Sequence, residues 1–123
     1  MKEILLADFD EIPERGRKIF SVEGVQVGIF RIDDQIYAWR NTCPHQGGPV
    51  CQGKLMRAVE ERLDDQHRSL GVHFIEGSLN IICPWHGYEF DVRTGRYAGA
   101  ADLHLIPQPH QVREGKIYVS IDD

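Results

Sequence analysis

Two short runs in this chain place metal-binding residue types at close spacing: Cys43-Pro44-His45 and Cys83-Pro84-Trp85-His86. Each can offer one thiolate and one imidazole to a common centre, so together they form a two-sulfur, two-nitrogen donor set. Thiolate and imidazole serve tetrahedral zinc and iron–sulfur chemistry alike. Gly47-Gly48 and Gly87 follow the histidines and let the backbone turn tightly around whatever is held there. The spacings differ from those of zinc fingers, and glycine turns beside both pairs suit a bulky cluster better than a single ion. A metal centre is therefore the expected chemistry, with a structural zinc module as the competing reading.

The elements that must position these runs read as short strands. Lys18 to Val22 and Val25 to Ile32 flank Glu23-Gly24, and Val25, Val27 and Ile29 fall on one face, as a half-buried strand requires. Asp33-Asp34 turns the chain into Gln35 to Trp39, completing a three-strand meander. Leu79 to Ile82 is an apolar run ending on Cys83, Thr94-Gly95 punctuates Glu89 to Tyr97, and Glu114-Gly115 joins Gln111-Val112-Arg113 to Lys116 through Ile121. Many short strands with glycine turns predict an all-β architecture. One segment differs: between Lys54 and Leu70, Leu55, Val59 and Leu63 are spaced four apart, with Gly71 as a stop. That spacing predicts a short amphipathic helix over about 54–71.

The chain of 123 residues is expected to form a single domain, 1–123, with metal-binding loops at about 41–53 and 83–96. Its formal net charge of −5, with no basic cluster, argues against nucleic-acid binding. No apolar run approaches membrane-spanning length, and Ile4-Leu5-Leu6-Ala7 is too short for a signal peptide and lacks a basic flank. A cytoplasmic protein is the expectation. Three cysteines fit that better than a secreted disulfide framework.

Residues 41 to 53 (NTCPHQGGPVCQG) and 83 to 96 (CPWHGYEFDVRTGR) resemble the two cluster loops of Rieske-type [2Fe–2S] ferredoxins, the small electron carriers of oxygenase systems. The run IYAWRNTCPH and the tail LIPQPHQVREGKIYVSI are similar to that family's base domain, so the resemblance spans nearly the whole chain apart from 54–75. It implies three stacked antiparallel sheets with a cluster-binding tip, and one [2Fe–2S] cluster. It further implies that Cys43 and Cys83 bind one iron and His45 and His86 the other. The implied activity is one-electron transfer from a flavin-dependent reductase to a terminal oxygenase or similar acceptor, by a chain that is not itself an enzyme and is a monomer in isolation. The alternative is a small subunit of a larger oxidoreductase such as nitrite reductase. Pro107-Gln108-Pro109 resembles the family's proline-containing loop that covers the cluster.

Imidazole ligands lower the negative charge on a cluster and raise its potential relative to four thiolates. High-potential members add a cysteine within each loop, forming a disulfide; Gly48 and Trp85 stand at the corresponding positions. They also place Ser and Tyr two and four residues after the second His, where this chain has Tyr88 and Phe90. Fewer hydroxyl donors to sulfur predict a potential near the bottom of the roughly −150 to +300 mV Rieske range. Cys51 is expected as a small buried residue under the first loop. His67, His73, His104 and His110 lack ligand spacing, and Tyr37 and Trp39 alternate with Ile36 and Ala38 as packing residues. Gln46 and Trp85 are expected to flank the cluster and face a partner.

Overall fold

The computed structural model describes residues 2–44, 47–56, 59–63, 65–74, 79–84, 87–97 and 103–121; of 59–63 and 69–74 it describes the backbone. The chain folds into antiparallel strands: β1 (Lys2–Asp8), β2 (Gly16–Val22), β3 (Val25–Ile32), β4 (Gln35–Arg40), β5 (Lys54–Met56), β6 (Val59–Leu63), β7 (Ser69–Phe74), β8 (Asn80–Ile82), β9 (Glu89–Asp91), β10 (His110–Arg113) and β11 (Lys116–Ile121). They make three three-stranded sheets, ordered β1-β11-β10, β2-β3-β4 and β5-β8-β9, with β6 and β7 as a separate hairpin.

Turn chemistry fixes the register of the meander. Glu23-Gly24, Asp33-Asp34 and Glu114-Gly115 each place two successive residues at positive φ. That is the two-residue turn whose twist matches a hairpin. At Asp33-Asp34, where neither residue is glycine, the Glu14 carboxylate accepts both amides and Arg31 pairs with the Asp34 carboxylate at 2.7 Å. These bonds offset the strain of two left-handed non-glycine residues.

The β2-β3-β4 sheet is the middle layer, because both of its faces are buried. Val27 and Ile29, with Ile36 and Ala38, pack on Ile117 and Val119 of the β1-β11-β10 sheet. Phe30 and Ile32, with Trp39, face the other way onto Ile81, Phe90 and Val92 of the β5-β8-β9 sheet. Period two within one strand thus feeds two cores. Phe30 is fully buried; truncation to Ala would cost about 3–5 kcal/mol. The second core also contains Cys51 and the two candidate ligands Cys43 and Cys83, so the candidate site and apolar packing share one interior.

Two expectations are corrected. Residues 54–71 form no helix among the described residues; they supply β5, which pairs with β8, and then β6 and the start of β7. A spacing of four fits a helical turn, but it is also an even number, so Leu55, Val59 and Leu63 satisfy a strand period as well. The partner decides: β6 pairs with β7 from Val59↔Phe74 to Leu63↔Ser69, and Gly71, read as a helix stop, lies opposite Arg62. The second correction concerns Pro107-Gln108-Pro109, which runs along the edge of β4: Arg40 N–H donates to the Ile106 carbonyl, Gln108 N–H donates to the Ala38 carbonyl, and Pro107 bridges Trp39. Proline suits this place because it donates nothing to a ladder. The buried Gln108 side chain donates to the Ser120 carbonyl at 2.7 Å and accepts from Arg40 Nε at 2.6 Å, tying the middle sheet to β11. No helix among the described residues is long and apolar enough to cross a membrane.

Candidate metal centre

The first loop leaves β4 through Asn41, a buried polar residue whose side-chain amide is bonded through both its nitrogen and its oxygen. Its Nδ2 donates to Gln26 Oε1 at 3.1 Å, and its Oδ1 accepts the Cys51 amide at 2.9 Å. The loop then turns at Cys43. Cys43 N–H donates to the Gly48 carbonyl at 2.7 Å, and the Cys43 carbonyl accepts the Gly47 amide at 2.7 Å. The second loop leaves β8 directly at Cys83. Cys83 N–H donates to the Tyr88 carbonyl at 2.8 Å, and the Cys83 carbonyl accepts the Gly87 amide at 2.9 Å.

The two turns are therefore built alike: in each, the cysteine bonds the residues four and five positions on. The glycine at the fourth position has φ of +77° at Gly47 and +71° at Gly87, the left-handed conformation that other residues adopt only under strain. His45 and His86 fall inside these turns in sequence. Like Gln46 and Trp85, they lie outside the described residues. Cys43 and Cys83 are 3% and 2% exposed and belong to the same core. Two sulfur donors held by matched turns and shielded from water are a donor set that fits an iron–sulfur cluster.

The loops touch at their roots. After the short turn Val50–Gln52, the Gly53 backbone lies so close to the Ile82 carbonyl that a Cβ there would overlap it. Gly53 and Ile82, with Cys83, Pro84 and Gly87, line one cavity of about 410 Å³. Cys51 is fully buried, as expected; its thiol sits 3.5 Å from the Trp39 carbonyl and 3.6 Å from that of Arg40. Burial pushes the Cys51 thiol up to about 12, against a smaller pull from the Gly28 backbone and the Arg17 charge. It is a neutral packing group at physiological pH and offers no thiolate to a metal. On the far side of the second loop, Trp39 Nε1 donates to the Val92 carbonyl at 2.8 Å. Tyr88 stacks on Tyr97 at 5.0 Å, and the Phe90 phenyl is fully buried.

The remaining histidines lie elsewhere. His67 is exposed in the turn between β6 and β7, and His73 is in β7. His104 Nδ1 is 3.0 Å from the Leu105 carbonyl, while His110 lies between the Gln108 and Ile36 carbonyls at 3.1 Å each. Sequence reading missed the supports of the site: Asn41, Arg17 and the Gly53–Ile82 contact. Their partners are distant in the chain, so no local pattern marks them.

The sequence profile of the Rieske [2Fe–2S] domain matches residues 2–114. The chain belongs to the Rieske [2Fe–2S] family. It is 28% identical over 112 residues to ferredoxin CarAc of Metapseudomonas resinovorans, covering 90% of this chain and 85% of that protein. It is 31% identical over 86 residues, 70% of this chain and 62% of the other, to the ferredoxin component of the naphthalene 1,2-dioxygenase system of Pseudomonas aeruginosa. Its fold matches the ferredoxin of carbazole 1,9a-dioxygenase from Nocardioides aromaticivorans IC177 with a TM-score of 0.69 at 24% identity, covering 99% of this chain and all of that one. This Rieske chain carries one [2Fe–2S] cluster and is an electron-transfer protein rather than an enzyme.

Proposed function

We propose that Cys43 and Cys83 hold one iron of the cluster and His45 and His86 the other, in a single domain spanning residues 1–123 that works in the cytoplasm. The proposed role is to carry single electrons from a flavin-dependent reductase to a terminal oxygenase. The observation that carries the ligand assignment is the pair of matched turns: each starts at a buried cysteine and encloses one histidine in sequence. When bound, the cluster supplies a one-electron couple. The protein supplies the rest. Cys43 and Cys83 would hold it as thiolates, and the apolar residues of the same core, Phe90 and Val92 among them, would keep water from the sulfurs. Each histidine would use one ring nitrogen as a ligand and keep a proton on the other.

Phe90 stands where a hydroxyl donor would stabilise the reduced state, and its buried phenyl can donate nothing to sulfur. The potential is accordingly expected near the lower end of the roughly −150 to +300 mV Rieske range. The net charge of −5 favours docking on basic partner faces, with an electron-transfer rate that falls as salt rises. The test is stopped-flow mixing of dithionite-reduced protein with the oxidised oxygenase component of a carbazole or naphthalene dioxygenase system. Transfer of one electron per chain, slowed by salt, supports the role. Transfer to a nitrite reductase catalytic subunit instead would replace it with the alternative.

A further inference from the structure

Arg17 differs from three other arginines of this protein in what it faces. Arg31, Arg93 and Arg113 each face a carboxylate: Asp34, Asp33 and Glu3 respectively. Arg17 faces none among the described residues. Its guanidinium Nη1 donates to the Gly53 carbonyl, and its charge lies over the Phe30 ring, 5.9 Å from the centroid. Both contacts lead to the metal centre. Phe30 belongs to the core that contains Cys43 and Cys83. Gly53 ends the first loop and abuts Ile82, the residue before Cys83. The half-buried cation is thus fixed behind the point where the two cluster loops meet. Partial burial lowers its pKa, yet a guanidinium stays charged at any pH where the protein is folded.

We propose that Arg17 is a potential-tuning residue: its uncompensated charge behind the loop junction stabilises the reduced centre and raises the reduction potential. The inference rests on the cluster assignment above. The reduced state carries one more negative charge than the oxidised state, with the electron taken from the titrant and no bond made or broken. A fixed cation therefore favours it. Across a protein interior of effective dielectric about 20, one unit charge changes an equilibrium constant severalfold at separations on the order of 10 Å. The hydrogen bond to Gly53 keeps the charge from swinging into water, where salt would screen it.

The test is a redox titration of cluster-loaded wild type, Arg17→Lys, Arg17→Gln and Arg17→Met, followed by visible absorption. Gln keeps a donor for the Gly53 carbonyl, and Met keeps an apolar stem over Phe30, so two different neutral substitutions guard against loss of fold in one. The expected result is that both neutral variants are at least threefold harder to reduce, a fall of about 30 mV at 59 mV per decade for one electron. Arg17→Lys is expected to stay close to wild type. An unchanged potential in the neutral variants, or a fall in Arg17→Lys as large as theirs, overturns the proposal. A wild-type protein with no reversible couple would instead overturn the cluster assignment, so the two failures are distinguishable.

Discussion

From Cys43 and from Cys83 the chain makes the same turn, with the same two backbone bonds and the same left-handed glycine four residues on. Below the turns the two loops have little in common. The second is the tip of a hairpin, entered from β8 and left through β9, whose pairing from Asn80↔Asp91 to Ile82↔Glu89 holds it directly. The first crosses from the middle sheet to the outer one, so no ladder closes beneath it. Its root is made instead of side chains: Asn41 bonded to Gln26 and Cys51, and the Cys51 thiol packed under the carbonyls of Trp39 and Arg40. A hairpin positions a cysteine by local pairing, whereas a crossing loop needs polar and packing contacts from afar. On the proposed ligand assignment the tips are alike because they hold the same object; the roots differ because the sheets beneath them do.

The largest effect is expected where the roots touch. Gly53→Ala drives a Cβ into the Ile82 carbonyl, backbone against backbone. It should destabilise the protein by about 3 kcal/mol, the upper range for overpacking, and leave it colourless after cluster reconstitution. A coloured Gly53→Ala protein of near-normal stability would mean that the roots are not in register with each other.

Next come the separate roots. Asn41→Ala leaves the buried Cys51 amide without its acceptor and should cost about 2 kcal/mol, whereas Trp39→Phe removes one donor to Val92 under the second loop and should cost about 1 kcal/mol. Denaturant unfolding checks both, and equal losses would erase the distinction between side-chain and hairpin support.

Cys51 sharpens the comparison through pH. Its thiol is neutral in the folded protein up to about 12, whereas the unfolded chain releases that proton near 9.0. Between those values the unfolded state binds fewer protons, so stability falls as pH rises, by about 1.4 kcal/mol per pH unit, and is unaffected below the lower value. Cys51→Ala should flatten that alkaline loss in a urea series at pH 8 to 10.5. An unchanged slope would show the thiol is not what makes the first root alkali-sensitive. The smallest effect concerns the tips. Neither Gly47 nor Gly87 has an atom of the described residues within 4 Å of a would-be Cβ, so Gly47→Ala and Gly87→Ala are expected to carry the left-handed strain, about 1 kcal/mol each. Thermal unfolding should find them equal, and a twofold difference would break the likeness of the two turns.

Much of this was legible in the sequence because it is local. The meander from β2 to β4 follows from alternation and two-residue turns, and both cysteines announce themselves through the glycines that close their turns. The hairpin of β6 and β7 was not legible, because a spacing of four serves either period and the deciding partner begins at Ser69. Asn41, Arg17 and Gly53 were invisible as supports for the same reason: Gln26, Phe30 and Ile82 become neighbours only once the sheets stack. The proline run misled because its role is set by the edge of β4, a strand some seventy residues earlier in the chain.

The central claim is that one centre joins the two turns, with two sulfur and two nitrogen ligands from the protein. Pulsed EPR of the dithionite-reduced, cluster-loaded protein tests it most directly. The account predicts a rhombic signal of low average g with nitrogen couplings from two imidazoles, each lost separately in His45→Ala and His86→Ala. A signal without nitrogen coupling, or a colourless protein holding zinc, would contradict it.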